Sequence, residues 1–165
     1  MFEIIQQTPK DSVRIEDLMR EAFGQNLYDR SVWALRLGPP VANLCLVAYE
    51  DGHAVGSLRF WEVLLGDEAI LLLGPLAVAP SLRGRGFGRH LVHEGLRLAG
   101  NGKWRLVLVS GEPDYYPKFG FVPAAEYNLD WPGFVEPERL QFFELVEGTL
   151  SRLPKTGLSV QNISA

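Results

Sequence analysis

The amino-acid sequence predicts an α/β domain in which a mixed β-sheet is flanked by helices. Two observations support this fold class. Strand-like runs at residues 43–50 and 53–65 are joined through Asp51-Gly52, a dipeptide that favours the tight turn of an antiparallel hairpin. Farther along, a strand-like run, a glycine-rich loop, an amphipathic helical pattern and a second strand-like run follow one another over residues 68–110. That order and length are typical of the crossover between two parallel strands.

The remaining elements follow from shorter patterns. Residues 2–7 form a strand-like run, and Thr8-Pro9 then resembles the cap and first position of a helix. A second helical segment is expected over residues 30–38, and further strands over residues 104–110 and 140–146. The segment at residues 155–165 is expected to be an edge strand or a tail.

The run at residues 68–80 is almost continuously apolar, as in a central strand that is covered on both faces. Pro75 lies within it and has no N–H group to donate to a neighbouring strand. We therefore expect a bulge or a local parting of strands at this position.

Composition and charge limit the classes of function. The chain has 165 residues, of which 47% are hydrophobic and 22% charged, and this suits one globular domain over residues 1–165. Sixteen basic and twenty acidic residues give a net charge of −4, which provides no general positive field for nucleic acid or an anionic membrane. Neither a signal-peptide pattern nor an apolar run of roughly 18 residues is seen, so no membrane partner and a cytoplasmic location are expected.

The loop after the central strand carries the strongest chemical signal. It contains Arg83, Gly84, Arg85, Gly86, Phe87, Gly88 and Arg89. Glycines at the start of a helix let several unpaired N–H groups converge on an anion, and arginines add charge and forked donors. The loop is therefore either a phosphate or pyrophosphate site or a solvated turn. Its spacing fits neither a Walker loop nor a dinucleotide fingerprint.

Two motifs resemble those of a known family. The segment "LAVAPSLRGRGFGRHLV" is similar to the acyl-CoA signature R/Q-x-x-G-x-G/A of the GNAT superfamily of N-acetyltransferases, with Arg83, Gly86 and Gly88 at its fixed places. The later "YYPKFGF" is similar to that family's Y-x-[KR]-x-G-F segment, which begins here at Tyr116. Both motifs fall within residues 70–123, and the chain looks like a bacterial branch whose substrates are mostly unassigned.

The resemblance implies a fold and a co-substrate. The fold would be a mixed, mostly antiparallel sheet of about six or seven strands with a splayed parallel pair, flanked by about four helices. Acetyl-CoA would be the co-substrate, held by the segment at about residues 70–123, and no metal would be needed.

The resemblance implies roles for specific residues. Backbone groups of Leu76, Ala77 and Val78 would pair with the pantetheine arm, and the N–H group of Val78 would polarise the thioester carbonyl. The N–H groups from Gly84 to Arg89 would hold the pyrophosphate, with the side chains of Arg83 and Arg89 assisting.

The reaction implied is direct attack of a primary amine on the thioester within a ternary complex. Tyr116 would protonate the departing thiolate as a general acid, whereas Tyr115 would pack. The base is open, because the strands lack the carboxylate that some relatives carry. Glu112 is the tentative choice, with Asp114, Glu62 and His53 as the other candidates.

Several functional questions stay open at this level. The acceptor would be a small-molecule or peptide amine, and the protein a monomer or a homodimer. Trp33 and Phe134 are among the aromatic residues that either line an acceptor pocket or belong to the core. His90 and His93 are three residues apart on a helix, but no third metal ligand has a matching spacing. The alternative function is a non-catalytic acyl-CoA sensor or interaction module.

Overall fold

The computed structural model describes residues 2–163, which fold around an eight-stranded sheet. The strands are β1 (Phe2–Gln6), β2 (Leu46–Glu50), β3 (His53–Leu65), β4 (Glu68–Val78), β5 (Leu106–Ser110), β6 (Val122–Pro123), β7 (Leu140–Glu144) and β8 (Val160–Asn162). The sheet order is β1-β2-β3-β4-β5-β7-β6, and β8 pairs with the last part of β3. Of the strand pairs in this part of the chain, only β4 and β5 run parallel.

The predicted α/β class, with its mixed and mostly antiparallel sheet, is confirmed. Asp51 and Gly52 both adopt positive φ angles, of 50° and 82°, and they close the β2–β3 hairpin as the sequence predicts. Within residues 155–165, β8 forms the predicted edge strand, while positions 164 and 165 lie outside the described residues.

The prediction of about four flanking helices is wrong. Residues 2–163 contain two α-helices, α1 (Ser12–Phe23) and α2 (Phe87–Gly100), together with nine short 3-10 segments. The segment predicted as a helix at residues 30–38 forms only the 3-10 turn Ser31–Leu35, because Pro39-Pro40 disfavours helical geometry just after it. The described strands also number eight, more than the six or seven expected.

The two faces of the sheet bury different clusters. Leu71 and Leu73 of β4 pack in the cluster that contains the buried face of α2. Ile70 and Leu72, which alternate with them, pack in a second cluster on the opposite side, as expected for a strand covered on both faces. Helix α2 approaches β3 closely at Gly95, where a Cβ atom would lie 2.7 Å from the ring of Phe60.

Strands β4 and β5 part in the middle of the sheet. They pair only over Leu71–Leu73 and Val107–Val109, and from Leu76 onward β4 pairs with β3 alone. Between these two stretches Gly74 and Pro75 oppose the single residue Arg59, which is a bulge. The indole Nε1 of Trp61 donates a hydrogen bond of 2.7 Å to the Gly74 carbonyl at this point. The bulge and the parting expected from Pro75 are therefore confirmed.

Candidate active site

A cleft opens where β4 and β5 part, and it has three connected sections. The loop section, of about 590 Å³, lies against residues 84–89 at the start of α2. The deep section, of about 420 Å³, contains the parting point and Tyr116, and it shares Leu76 with the loop section. The outer section, of about 330 Å³, extends past Arg139, which it shares with the deep section, to Phe134.

The loop section is built around unpaired N–H groups. Gly86 caps α2 in the left-handed region, with φ of 92°, and Gly84 has φ of 84°. The first intrahelical bond runs from the His90 N–H to the Gly86 carbonyl, at 3.0 Å, so the N–H groups of residues 87–89 precede the helical ladder. Together with the helix dipole they form a site suited to an anion.

The arginines of this loop are not equivalent. The guanidinium of Arg85 makes two hydrogen bonds to Glu50, at 3.1 and 2.7 Å, and its side chain is thereby tied to β2. Arg83 donates to the Ala22 carbonyl at the end of α1, at 3.2 Å, and lines both the loop and deep sections. Arg89 lines the loop section, whereas the ring of Phe87 belongs to the core.

The free side of β4 presents backbone groups at alternate residues. The N–H of Ala79 bonds to the Val55 carbonyl at 2.9 Å, so the antiparallel alternation directs the backbone of Ala77 towards β3 as well. The backbone groups of Leu76 and Val78 then face the gap left by β5. Of the three residues predicted to offer backbone groups to the cleft, Leu76 and Val78 do so, whereas the backbone groups of Ala77 face β3.

Tyr116 lines the deep section and is only 7% exposed. Its ring sits directly on Gly111, where a Cβ atom would lie 2.2 Å from a ring carbon. Burial raises the pKa of the Tyr116 phenol far above its usual value, although the charge of Arg36 opposes this. The phenol therefore stays protonated at neutral pH and can donate a hydrogen bond, while the raised pKa makes it a weaker proton donor than an exposed phenol.

Glu112 lines both the deep and loop sections, but its carboxylate is exposed and lies 3.5 Å from Arg139. The other candidate bases lie elsewhere. Glu62 accepts a hydrogen bond from Trp104 Nε1 at 2.7 Å, and neither Glu62, Asp114 nor His53 is among the residues that line the three sections.

Comparison with known proteins identifies the family. A family model described as an acetyltransferase (GNAT) domain matches residues 42–123. YhbS of Escherichia coli strain K12, an uncharacterized N-acetyltransferase, is 35% identical over 132 residues, which span 77% of this chain and 78% of YhbS. The chain belongs to the GNAT acetyltransferases. The resemblance inferred from the two sequence motifs is thus confirmed.

Solved structures of GNAT acetyltransferases agree with this assignment. A structure of YhbS from Escherichia coli in complex with CoA has a TM-score of 0.79 and 30% identity, covering 96% of this chain and 88% of that one. A GNAT family acetyltransferase from Brucella melitensis, in complex with acetyl-CoA, has a TM-score of 0.69 and 28% identity. It covers 87% of this chain and 88% of that one.

Sequence reasoning missed a group of arginines in this GNAT acetyltransferase. Arg30, Arg36 and Arg139 all line the deep section. Burial lowers the pKa of Arg36 to about 9, and the nearby charge of Arg30 acts in the same direction. The signal in the sequence was weak: Arg36 is an arginine within the apolar segment "SVWALRLGPP", whose burial depends on distant parts of the chain.

Two of the aromatic candidates line the cleft. Trp33 lines the deep section and Phe134, which is 82% exposed, lines the outer section. Over residues 2–163, no group of three side chains could hold a metal ion, and no helix is long and apolar enough to cross a membrane.

Proposed function

We propose that this protein, as one domain over residues 1–165, transfers the acetyl group of acetyl-CoA to a primary amine by direct attack in a ternary complex. The observation that carries the proposal is the continuous cleft, which joins an anion site at the start of α2 to the protonated, buried Tyr116 through the gap between β4 and β5. The relatives YhbS and the Brucella melitensis protein, seen with CoA and acetyl-CoA, support it.

The residues of the loop section fit the phosphates of CoA. The N–H groups of residues 87–89, with those of residues 84–86, would bind the pyrophosphate, while Arg83 and Arg89 add positive charge. Arg85 would contribute its backbone, because its guanidinium is held by Glu50.

The pantetheine arm would occupy the gap beside β4. Leu76 and Val78 would bond to its amides, as a neighbouring strand would, while Ala77 would contribute by its position between them rather than by its backbone groups. Only Leu76 also lines the deep section. We therefore assign to the Leu76 N–H, rather than that of Val78, the role of polarising the thioester carbonyl.

Tyr116 would supply the proton that the departing thiolate needs. Its phenol is protonated and lies in the same section as the parting point of the strands. Glu112 would accept the proton of the incoming amine, directly or through water. Among the described residues that line the deep section, it is the one that carries a carboxylate. Its carboxylate also lies 3.5 Å from Arg139.

The proposal is tested with purified protein, acetyl-CoA and a panel of primary amines, with release of the CoA thiol as the readout. Tyr116→Phe should lower kcat by about 100-fold and leave the affinity for CoA unchanged, because general acid catalysis contributes at least this much. Tyr127→Phe is the matched control, since Tyr127 is also buried but lies in the opposite core cluster. Equal loss of turnover and CoA affinity in Tyr116→Phe would show that the residue is structural.

The second candidate is a sensor that binds acyl-CoA without turnover. The exposure of Glu112 and its ion pair with Arg139 favour it, because an enzyme would gain from a better-placed base. Tight binding of CoA without thiol release for any amine would establish the sensor. Failure to bind CoA would overturn both candidates.

A further inference from the structure

Three arginines from separate segments meet in the acceptor half of the cleft. Arg30 and Arg36 flank the 3-10 turn Ser31–Leu35, and Arg139 ends the 3-10 turn Pro137–Arg139 just before β7. All three line the deep section, and Arg30 and Arg139 also line the outer section. None of them lines the loop section, where the phosphates of CoA would lie.

Arg36 is surrounded by protein and makes no ion pair among the described residues. The residue as a whole is partly exposed, and it lines the deep section. Its Nε is buried and has no hydrogen-bond partner among the described residues. Its guanidinium lies over the ring of Trp33, whose centroid is 4.6 Å from Cζ.

The position of Arg36 is fixed at the point where the strands part. A Cβ atom at Gly74 would lie 2.6 Å from its Nη2, so the guanidinium packs against the bulge itself. Glu112, a carboxylate that also lines the deep section, is 75% exposed and pairs with Arg139 rather than Arg36. A buried cation that has no counter-ion is costly, and an anionic group on a ligand would remove that cost.

We propose that the acceptor is a free amino acid, and that its carboxylate binds to Arg36 together with Arg30 and Arg139. This rests on the proposed function. An acceptor rather than the acyl group carries the anion, because Arg30 and Arg139 extend into the outer section, away from α2. Arg36 and Tyr116 line the same section, which suits an acceptor whose amine and carboxylate are close together, as in an α-amino acid, better than a peptide amino terminus.

The first experiment compares each of the twenty L-amino acids with its carboxamide as acceptor for acetyl-CoA. The carboxamide keeps the amine and side chain but lacks the negative charge. We expect kcat/KM to be about 100-fold lower for the carboxamide of the best substrate, because charged hydrogen bonds to arginine are lost.

Two variants test whether Arg36 and Arg30 bind the carboxylate of the acceptor. Arg36→Met and Arg30→Gln should each bring the ratio of amino acid to carboxamide close to one, mainly through KM for the amino acid, and leave CoA affinity unchanged. Arg97→Gln is the matched control, because Arg97 is an exposed arginine of α2 that pairs with Glu94 outside the cleft. The ratio for this variant should equal that of the wild type.

Other outcomes of these experiments would refute the proposal or decide it by a different measurement. Equal turnover of amino acids and carboxamides, or a preference for peptides, refutes the carboxylate site while leaving acetyl transfer intact. Preference for succinyl-CoA over acetyl-CoA that disappears in Arg36→Met would place the anion on the acyl group and refute the proposal. If no amine reacts, thermal shifts decide: stabilisation of the wild type by amino acids that Arg36→Met abolishes supports the site, and no stabilisation refutes it.

Discussion

Replacing Arg36 by methionine should stabilise the protein in the absence of ligands. Burial lowers the pKa of Arg36 far below its usual value, to about 9, so the fold disfavours the charged guanidinium. At 1.36 kcal/mol for each pKa unit, this corresponds to a penalty of about 5 kcal/mol. Methionine has a similar length and no charge, so it removes the penalty while filling the same space.

The net gain is smaller, because the contact of Arg36 with Trp33 is also lost. A cation over a desolvated ring contributes about 2 kcal/mol, and part of the burial penalty is relieved by side-chain adjustment. We therefore expect a gain of about 1–3 kcal/mol, within the range seen when buried charges become apolar. For a chain of this size that raises Tm by about 3–9 °C.

Thermal unfolding followed by circular dichroism at pH 7 measures the effect. The advantage of the variant should shrink above pH 9. The folded wild type releases a proton there that the unfolded chain retains to a higher pH, so wild-type stability rises. Arg97→Met, on the exposed side of α2, is the control and should change stability by less than about 0.5 kcal/mol. A lower Tm for Arg36→Met would refute the reasoning, since it would mean that the fold already neutralises Arg36.

Three further substitutions test other contacts. Gly111→Ala places a methyl group 2.2 Å from the ring of Tyr116, so the ring must move; kcat should fall about 10- to 100-fold in the thiol-release assay. Gly95→Ala places one 2.7 Å from the ring of Phe60, and denaturant unfolding should show a loss of about 1–3 kcal/mol despite the better helix propensity of alanine. Asp11→Asn should remove part of the acid sensitivity of folding. Burial acts to raise the pKa of Asp11, but hydrogen bonds to its carboxylate outweigh this and lower the pKa below 3.8. The stability that the carboxylate contributes is therefore complete above pH 3.8, and it is lost as the pH falls through the lowered pKa of the folded state.

Controls separate these effects from general damage. Gly100→Ala, at a position where nothing lies within 4 Å of a new Cβ atom, should be neutral or stabilising, in contrast to Gly95→Ala. Unchanged kcat in Gly111→Ala would show that the position of the Tyr116 ring does not matter for turnover. For Asp11→Asn, acid unfolding identical to that of the wild type would contradict the assigned role of the carboxylate.

The parts of the site that are local in sequence could be predicted. Residues 84–89 are contiguous, and their glycine spacing at the start of α2 determines which N–H groups are available. The parting of β4 and β5 was predictable from Pro75 alone, because a residue without an N–H interrupts pairing. Which backbone groups face the gap was not predictable. That depends on the register that follows the bulge, where one extra residue reverses the alternation and turns Ala77 towards β3.

The acceptor half was not predictable for a different reason. Arg36 and Arg139 are more than a hundred residues apart, and the segments that carry them are single 3-10 turns without a helical or strand period. The two regions meet through tertiary contacts such as the bond of 2.6 Å from Ser31 Oγ to the Phe134 carbonyl. Periodicity identifies regular elements, so a site assembled from irregular ones leaves little pattern in a single sequence.

The two halves of the cleft are built from different kinds of backbone, and this bears on how such a protein can acquire new substrates. The half beside β4 and α2 belongs to the sheet ladder and a helix start, where an insertion would shift the register of the whole core. The half beside Ser31–Leu35 and Pro137–Arg139 consists of short turns, and apart from the buried Val32 and Leu35 their residues are at least partly exposed and can change more freely. Substitutions of those exposed residues can reshape the outer part of the cleft at little cost to folding, while the half beside β4 and α2 stays the same.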